Sequence, residues 1–305
     1  MNNKVIKFSV IISVFLVIFL ISIVTPRNVE TDVVEDKSYG FGLSLVDETS
    51  TDENQIIYKL KGGQSTFSPT VSVSNNFNKP YTYRIFTFLD YMQKNVKYNN
   101  QQVSNIDISL DKHESKEITF DLNIPEGAND LLVICVRDPN NILDKEQYIS
   151  SGNVYLARRA VILNGEDKNI NKIGFSTVNP YLKTNSSEVI TAPFVTQIDE
   201  QGKEFSLSRI PQSFVGEIQL NFESLQDNKY ALFSILGEQA IKLDRPFIKA
   251  KDNGKFKLDL LSLPYSGEEI NNNIIIGVVD NPFTLDKNEL IQQKVEFINI
   301  ISLVK

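Results

Sequence analysis

The sequence predicts an all-β fold made of antiparallel β-sandwiches. Apolar and polar residues alternate along many short segments, and turn-forming residues interrupt these segments at intervals of about ten residues. After residue 27, no stretch keeps its apolar residues at the 3.6-residue spacing of a long amphipathic helix. Short strands with frequent turns between them are typical of antiparallel sandwiches, so both observations favour that class.

The strands can be placed from their alternation. In Glu117–Ile124 the even-numbered residues are apolar and the odd-numbered residues are polar, so in a strand the two sets face opposite sides of the sheet. The same alternation recurs in Thr70–Ser74, Glu217–Glu223 and Lys255–Leu260. Two further segments are apolar throughout: Leu131–Val136 and Ile274–Val279. We expect these two to be central strands that are covered on both faces.

The amino-terminal segment predicts a membrane anchor. Phe8–Val24 contains only Phe, Val, Ile, Leu and Ser, and as a helix it would span roughly 25 Å, which suffices for a thin bilayer core. Lys4 and Lys7 precede it and favour a cytoplasmic amino terminus. A cleaved signal peptide is the alternative, but the run ends in Ile-Val-Thr-Pro-Arg, without the small residues that cleavage requires. In both cases we expect the remaining chain outside the cytoplasmic membrane.

The exported part contains an internal duplication. Three pairs of segments match in the same order: Tyr83–Leu89 with Tyr230–Leu236, Phe120–Pro125 with Leu258–Pro264, and Leu143-Asp-Lys145 with Leu285-Asp-Lys287. The first copy is nine residues longer between its first two matches, around Gln93–Ser115. Matches that keep one order predict two copies of one fold whose loops differ in length.

The predicted layout is a short cytoplasmic amino terminus (residues 1–7), a transmembrane signal anchor (8–25), a stalk (26–38) and two sandwich domains (39–165 and 166–305). With seven to nine strands expected in each copy, the pattern resembles the immunoglobulin-like modules that are common on bacterial surfaces. This resemblance implies two tandem immunoglobulin-like antiparallel β-sandwich domains. The chain has no Trp and a single Cys, so it lacks the Trp and disulfide of antibody domains, and the resemblance concerns the strand pattern alone.

Charge and cysteine content restrict the partners. The formal net charge is −7, and residues 1–27 contribute +3, so the remainder carries −10. An acidic body offers no basic surface for phosphates, so nucleic acid is not expected as a partner. The single Cys135 excludes an intramolecular disulfide, which fits a bacterial surface protein better than an animal secreted module. Abundant Asn, Lys and Ile without Trp indicate an AT-rich bacterial genome.

Candidate catalytic groups are few. His113 is the only histidine and lies in a charged turn, whereas Cys135 lies in an apolar strand. We therefore expect neither to serve as a base, a nucleophile or a zinc ligand. Acidic residues are scattered over polar strand faces and loops, so carboxylate-based hydrolysis stays a remote alternative. The sequence predicts a protein that is not an enzyme, with no catalytic residue and no cofactor.

Two loops offer oxygen ligands for calcium. Asp138 and Asn140 follow the first central strand, and Asp280 and Asn281 follow the second. Carboxylate and amide oxygens are ligands that Ca²⁺ prefers. The same residue types also form turns for local reasons, and neither loop has a dense Asp-x-Asp-x-Asp pattern. The four residues are weak calcium candidates, and the turn interpretation is favoured.

An aromatic cluster could be a binding patch or part of a core. Its members are Tyr81, Tyr83, Phe86, Phe88 and Tyr91. In a strand, Tyr81 and Tyr83 would face opposite to Phe86 and Phe88. Tyrosine suits interfaces. However, the matching segment in the second copy is also apolar on both faces, which favours core packing.

These observations predict a membrane-anchored, extracytoplasmic, non-catalytic surface protein that is held by Phe8–Val24. The expected partner is another envelope or surface protein, or a cell-wall polymer. An accessory subunit of a membrane complex is the alternative. In that case the anchor itself would contact a partner helix through Ser9, Ser13 and Ser22, which fall within about half of the helix circumference.

Overall fold

The computed structural model describes residues 41–46, 57–61, 64–165, 173–185, 188–189, 191–211, 213–263, 272–285 and 295–305. The predicted anchor and stalk, including Phe8–Val24 and its serines, lie outside the described residues. Within the described ranges, no helix has both the length and the apolar character needed to cross a bilayer. The described residues belong to one compact unit, Tyr39–Lys305.

The first half of this unit contains the following strands: β1 (Phe41–Val46), β2 (Ile57–Lys59), β3 (Thr66–Phe67), β4 (Thr70–Asn75), β5 (Tyr81–Leu89), β6 (Met92–Gln93), β7 (Val96–Tyr98), β8 (Gln101–Val103), β9 (Asn105–Leu110), β10 (Ser115–Thr119), β11 (Leu122–Asn123), β12 (Gly127–Arg137) and β13 (Tyr155–Asn164). A single 3₁₀ turn, Ser151–Asn153, precedes β13 in this half.

The second half contains the following strands: β14 (Ser176–Val178), β15 (Leu182–Lys183), β16 (Phe194–Asp199), β17 (Glu204–Phe205), β18 (Arg209–Pro211), β19 (Gly216–Ser224), β20 (Lys229–Leu236), β21 (Gln239–Ile241), β22 (Phe247–Ala250), β23 (Gly254–Leu263), β24 (Asn272–Asp280), β25 (Val295–Phe297) and β26 (Ile301–Val304). No α-helix occurs among the residues that the structure describes, so the predicted all-β class is confirmed.

Each half forms two facing sheets. In the first half, the outer sheet has the order β1-β4-β10, and the inner sheet has the order β2-β13-β12-β5-β6, with β9 also paired to β5. In the second half, the outer sheet has the order β15-β23-β19-β16-β17. The inner sheet there has the order β14-β22-β20-β24-β26-β18. Every described sheet of either sandwich is thus built from strands of one half.

The two halves have the same strand order. β4 pairs with β1 and β10, as β19 pairs with β16 and β23. β5 pairs with β9 and β12, as β20 pairs with β22 and β24. A short strand joins each inner sheet in parallel, β2 beside β13 and β18 beside β26. This arrangement of two antiparallel sheets with strands that cross between them is immunoglobulin-like.

The extra residues of the first half form a hairpin. β7 and β8 pair across a turn in which Asn99 and Asn100 both have positive φ angles, as a type I′ turn requires. Val96 of this hairpin is buried, and Tyr98 and Val103 pack against the core of the first sandwich. The insertion around Gln93–Ser115 therefore extends that core.

The inner strands are buried on both faces. In β5, Tyr83 and Ile85 point into the first sandwich, whereas Phe86 and Phe88 point away from it. The second set meets Phe233 and its neighbours in the inner sheet of the second half. The four sheets therefore stack as outer, inner, inner and outer, and a third apolar core lies between the two inner sheets.

Candidate functional site

The predicted aromatic cluster lies in these cores. Tyr83, Phe86, Phe88 and Tyr91 are buried, and Tyr81 is half-buried against the first sandwich core. The prediction of core packing is therefore confirmed, and so is the opposite orientation of the two pairs. Sequence reasoning did not identify the second half of the chain as the cover for Phe86 and Phe88. An apolar face indicates burial but not the partner that buries it.

The interface core between the inner sheets is apolar and aromatic. Its main members are Phe86, Phe88, Leu132, Ile134 and Val136 from the first half, with Ala231, Phe233, Ile235, Ile275 and Val279 from the second. The rings of Phe88 and Phe233 lie 5.4 Å apart across the interface. Aromatic pairs at this separation stabilise the contact beyond the area that they bury. The contact between the halves thus resembles the inside of a domain.

A buried ion pair lies at one end of the interface core. The carboxylate of Asp130 accepts hydrogen bonds from Nε (2.7 Å) and Nη2 of Arg159 and from the hydroxyl of Tyr91 (2.9 Å). It also accepts the backbone N–H of Phe283 from the second half, at 2.7 Å. Burial alone would lower the pKa of Arg159, but Asp130 raises it above its ordinary value. Both charges are therefore committed to structural bonds.

A second buried arginine lies on the same face of the inner sheet. Nε and Nη2 of Arg84 each donate to Asp107 at 2.7 Å, and Nη2 is 3.0 Å from the carboxylate of Glu238 in the second half. Gln93 adds bonds to the backbone of the second half, donating to Glu238 O at 3.0 Å and accepting from Ala240 N–H at 2.5 Å. These bonds fix the position of one half against the other.

At the other end of the interface core, uncharged polar groups also join the two halves. Asn273, at the start of β24, donates to the carbonyl oxygens of Pro139 (3.3 Å) and Asn141 (2.9 Å), in the loop that follows β12. Its Oδ1 accepts from the hydroxyl of Ser302 at 2.6 Å, and that hydroxyl accepts the N–H of Leu143 at 3.1 Å. The loop after each central strand thus contacts the start of the other, so β12 and β24 run in opposite directions.

This geometry separates the weak calcium candidates. The loop of Asp138 and Asn140 lies beside Asn273, whereas Asp280 and Asn281 follow the far end of β24. The seven residue steps from Asn273 to Asp280 along β24 correspond to about 23 Å. The four residues therefore cannot share one ion. Among the described residues, no group of three or more His, Cys, Asp or Glu side chains is placed to hold a metal.

Each of these loops is a hydrogen-bonded turn. Asp138 has a φ of 48°, its carbonyl accepts the N–H of Asn141 at 2.9 Å, and its own N–H donates to Thr82 O at 2.8 Å. Asn281 has a φ of 43° and donates its N–H to Lys229 O at 2.9 Å. Asp and Asn tolerate this left-handed region, which accounts for their presence in both loops.

The chain has two side chains that could support nucleophilic chemistry, those of His113 and Cys135. His113 is exposed in the turn after β9 and bonds to Asn78 through Nε2 at 2.8 Å. Cys135 is fully buried in the first sandwich core, and its burial raises the pKa of the thiol. The charged turn and the apolar strand in which the sequence places these residues are both confirmed.

A groove, here called the β16 groove, lies where β16 and the chain after β17 diverge. Its volume is about 290 Å³. The lining residues are Glu146, Gln147, Tyr148, Pro193, Phe194, Val195, Ser206, Leu207, Ser208, Ile298, Asn299, Ile300 and Ile301. At its rim Tyr148 is 75% exposed and Phe194 is 45% exposed. Sequence reasoning did not identify this pair, because the alternation that predicts strands does not show which aromatic side chains stay exposed.

One charged residue lines the β16 groove, and its charge is already compensated. The carboxylate of Glu146 accepts from the N–H and hydroxyl of Ser208, at 2.8 and 2.7 Å, and from the N–H of Arg209 at 3.0 Å. Partial burial would raise the pKa of Glu146, but these hydrogen bonds lower it. The carboxylate thus ties the loop between β12 and β13 to β18. The remaining walls of the groove are uncharged.

Comparisons with known proteins add little to this description. No protein-family model and no curated protein sequence matches the chain. The CARDB domain of a Pyrococcus furiosus protein, solved with two metal ions, is 13% identical over 42% of this chain and 96% of that domain, with a TM-score of 0.27.

A chaperone–tip subunit complex of pili and a second chaperone give similar values. The CsuC–CsuE chaperone–tip subunit complex of Acinetobacter baumannii is 12% identical over 84% of this chain and 98% of that one, with a TM-score of 0.23. The Escherichia coli chaperone DraB is 11% identical over 87% of this chain and 97% of its own length, with a TM-score of 0.25. Since these TM-scores are all below 0.5, the immunoglobulin-like assignment rests on the strand order and register described above.

Proposed function

We propose that this chain is a membrane-anchored, extracytoplasmic and non-catalytic bacterial protein whose two immunoglobulin-like modules present an interaction surface as one rigid body. The observation that carries the proposal is the interface core between the inner sheets. A flexible tandem array would leave the outward faces of β5 and β20 polar, yet Phe86 and Phe88 of β5 and Ala231, Phe233 and Ile235 of β20 are buried in the interface core. Two modules that share a core move together, which suits a surface that must be held in one orientation.

The use of the buried charges supports a non-catalytic role. Arg84, Asp130 and Arg159 have buried side chains, and each is ion-paired: Arg84 with Asp107, and Asp130 with Arg159. Catalytic carboxylates need access to substrate, whereas Asp130 is enclosed between the two halves and already accepts bonds from several donors. Their arrangement fits a role in holding the two modules together.

The location can be tested by cysteine labelling of intact cells. Because Cys135 is buried, the wild-type chain should give almost no background with a membrane-impermeant maleimide. Glu117→Cys places a thiol on an exposed position of β10, and Asn3→Cys places one before the predicted anchor. We expect labelling of Glu117→Cys in intact cells and labelling of Asn3→Cys only after permeabilisation. Labelling of Glu117→Cys that also requires permeabilisation would contradict the proposal.

The interaction role can be tested by crosslinking in native membranes, with the full-length chain as bait. We expect envelope or cell-wall components to be recovered when the anchor is replaced by an unrelated transmembrane helix. Loss of all partners upon that replacement would instead favour the accessory-subunit alternative, in which Ser9, Ser13 and Ser22 form the contact.

A further inference from the structure

The β16 groove contains an unused strand edge. β16 pairs with β17 only at Gln197–Ile198, and the N–H of Asp199 also donates to Lys203 O at 3.1 Å. In an antiparallel ladder, alternate residues point their backbone groups to the same side, so those of Val195 face the same way as those of Gln197 and Asp199. If β17 continued in the same register, Leu207 would lie opposite Val195.

Leu207 does not make that pair. The buried side chain of Gln197 intervenes, with its Oε1 accepting the N–H of Leu207 at 2.8 Å and its Nε2 donating to the carbonyl of Leu207 at 3.3 Å. The chain after β17 then leaves for the inner sheet as β18. Among the described residues, the N–H and C=O of Val195 therefore face the groove without a hydrogen-bond partner.

We infer that the β16 groove binds an extended, uncharged peptide segment of a partner protein, which adds as a strand to the open edge of β16 at Val195. An extended peptide residue offers the N–H and C=O that Val195 requires, and strand addition is a common mode of peptide recognition. Every second side chain of the bound peptide would enter the groove above Ile298 and Ile300.

The walls of the groove determine which side chains fit. Isoleucine and leucine walls favour an apolar side chain, because a charged one would lose its hydration without gaining a partner. Glu146 is already saturated by Ser208 and Arg209, so it is not available to pair with a cation. Tyr148 and Phe194 at the rim are aromatic and exposed, which is the character of residues that anchor an interface.

The opposite edge of the same outer sheet is protected. β23 extends beyond its partner β15, and its free part carries the exposed charged residues Lys257 and Asp259. Charged side chains on an edge strand discourage the addition of another strand. The open part of β16 instead carries Phe194, Val195 and Thr196, with no charge.

This inference rests on the proposed function, for which it identifies the contact surface and the class of partner. The probe is an acetylated and amidated pentapeptide, Thr-Ile-Trp-Ile-Thr, titrated into the purified full-length chain. Because the chain contains no Trp, the peptide alone gives tryptophan fluorescence. We expect saturable binding with a blue shift of the emission.

Two exposed substitutions test the location. Tyr148→Ser and Phe194→Ser should each weaken binding about tenfold, which corresponds to roughly 1.4 kcal/mol. Tyr181→Ser is the matched control, since Tyr181 is 59% exposed and directly precedes β15, at the opposite edge of the same outer sheet. The control should bind like the wild type. Equal affinity for all three variants, or no saturable binding to the wild type, would overturn the inference.

Two further changes test the strand edge itself. Val195→Pro removes the outward N–H but no bond to β19, and proline is tolerated on edge strands, so the chain should fold and lose peptide binding about tenfold or more. Val195→Ala, which keeps the N–H, controls for lost side-chain volume. A peptide N-methylated at Trp should also fail to bind. If the N-methylated peptide binds as well as the parent peptide, the groove is a side-chain pocket and strand addition is wrong. The proposed function would still stand if crosslinking recovered partners that bind through another surface.

Discussion

Phe233 and Gly277 are directly opposite each other on β20 and β24, and the ring of Phe233 occupies the space that a side chain at Gly277 would need. A Cβ at Gly277 would lie 2.0 Å from Cζ of Phe233. The same ring packs against Phe88 of the first half. This glycine thus lets an aromatic ring lie flat on the inner sheet and reach the other half.

Gly277→Ala should destabilise the protein by about 1–3 kcal/mol, because the added methyl forces the Phe233 ring out of the interface core. Chemical denaturation measures the change. Gly152→Ala is the matched control, since no atom lies within 4 Å of a Cβ at Gly152. A Gly277→Ala protein as stable as the Gly152→Ala protein would mean that the interface core adapts to the extra volume.

Arg159→Met should cost about 3–5 kcal/mol, because it leaves the Asp130 carboxylate buried without its main partner. Lys183→Met provides the comparison. Lys183 pairs with Asp252 at 2.9 Å, but its side chain is 72% exposed, so its loss should cost about 1 kcal/mol or less. Similar effects of the two substitutions in urea unfolding would contradict the structural role assigned to Asp130.

Ser234→Ala should stabilise the protein by about 1 kcal/mol. The hydroxyl of Ser234 is fully buried and has no hydrogen-bond partner among the described residues, so its removal relieves an uncompensated desolvation. Ser302→Ala is the opposite case, because that buried hydroxyl bonds to both Asn273 and Leu143. Differential scanning calorimetry should show a higher Tm for the first variant and a lower Tm for the second. Equal Tm shifts for the two variants would contradict the assignment of an unbonded hydroxyl to Ser234 and a bonded hydroxyl to Ser302.

Asp90→Asn should stabilise the protein at neutral pH. Burial raises the pKa of Asp90 and outweighs the hydrogen bond from the N–H of Asp130, which lowers it, so the folded state holds its proton to a higher pH than the unfolded state does. The wild type therefore loses stability as pH rises through this window, whereas the variant has no proton to lose. Asn also tolerates the φ of 52° and keeps an oxygen for the N–H of Asp130.

Denaturant midpoints at pH 4 and pH 7 check this prediction. The increase in denaturant midpoint of Asp90→Asn over the wild type should be larger at pH 7 than at pH 4. Asp144→Asn, at an exposed position in the loop after β12, serves as the control for a general change in net charge. An advantage that stays constant with pH, or that grows at low pH, would show that ionisation of Asp90 is not its cause.

Much of the fold follows from local patterns. Ile118, Phe120, Leu122 and Ile124 are all buried, as their alternation predicts. The predicted continuous strand is nevertheless interrupted, since β10 ends at Thr119 and β11 begins at Leu122. The N–H of Phe120 instead donates to Pro69 O at 3.4 Å, and Asp121 pairs with Lys97 of the inserted hairpin. Alternation determines which face a side chain takes, but a non-local hairpin decides where the pairing breaks.

In the internal duplication, too, local sequence predicts some features and non-local contacts decide others. Tyr83–Leu89 and Tyr230–Leu236 lie in β5 and β20, which hold the same place in the two inner sheets. Leu143, however, is buried in the interface core, whereas Leu285 is half-exposed. The groove at β16 depends on the departure of Leu207 from the ladder, which has no local signature. Its walls come from four separate segments of the chain, residues 146–148, 193–195, 206–208 and 298–301.

By itself, the sequence determined the all-β class, the sidedness of the alternating strands and the two-faced burial of β5, β12, β20 and β24. These properties depend on the way side chains alternate between the two faces of a strand, and this alternation is a local property of the sequence. The tertiary structure alone decided what covers the second face of those strands: each inner sheet buries the other. Partner choice depends on shape and on buried bonds between the halves, such as those from the N–H of Phe283 to Asp130 and from the N–H of Leu143 to Ser302, which join residues 153 and 159 positions apart.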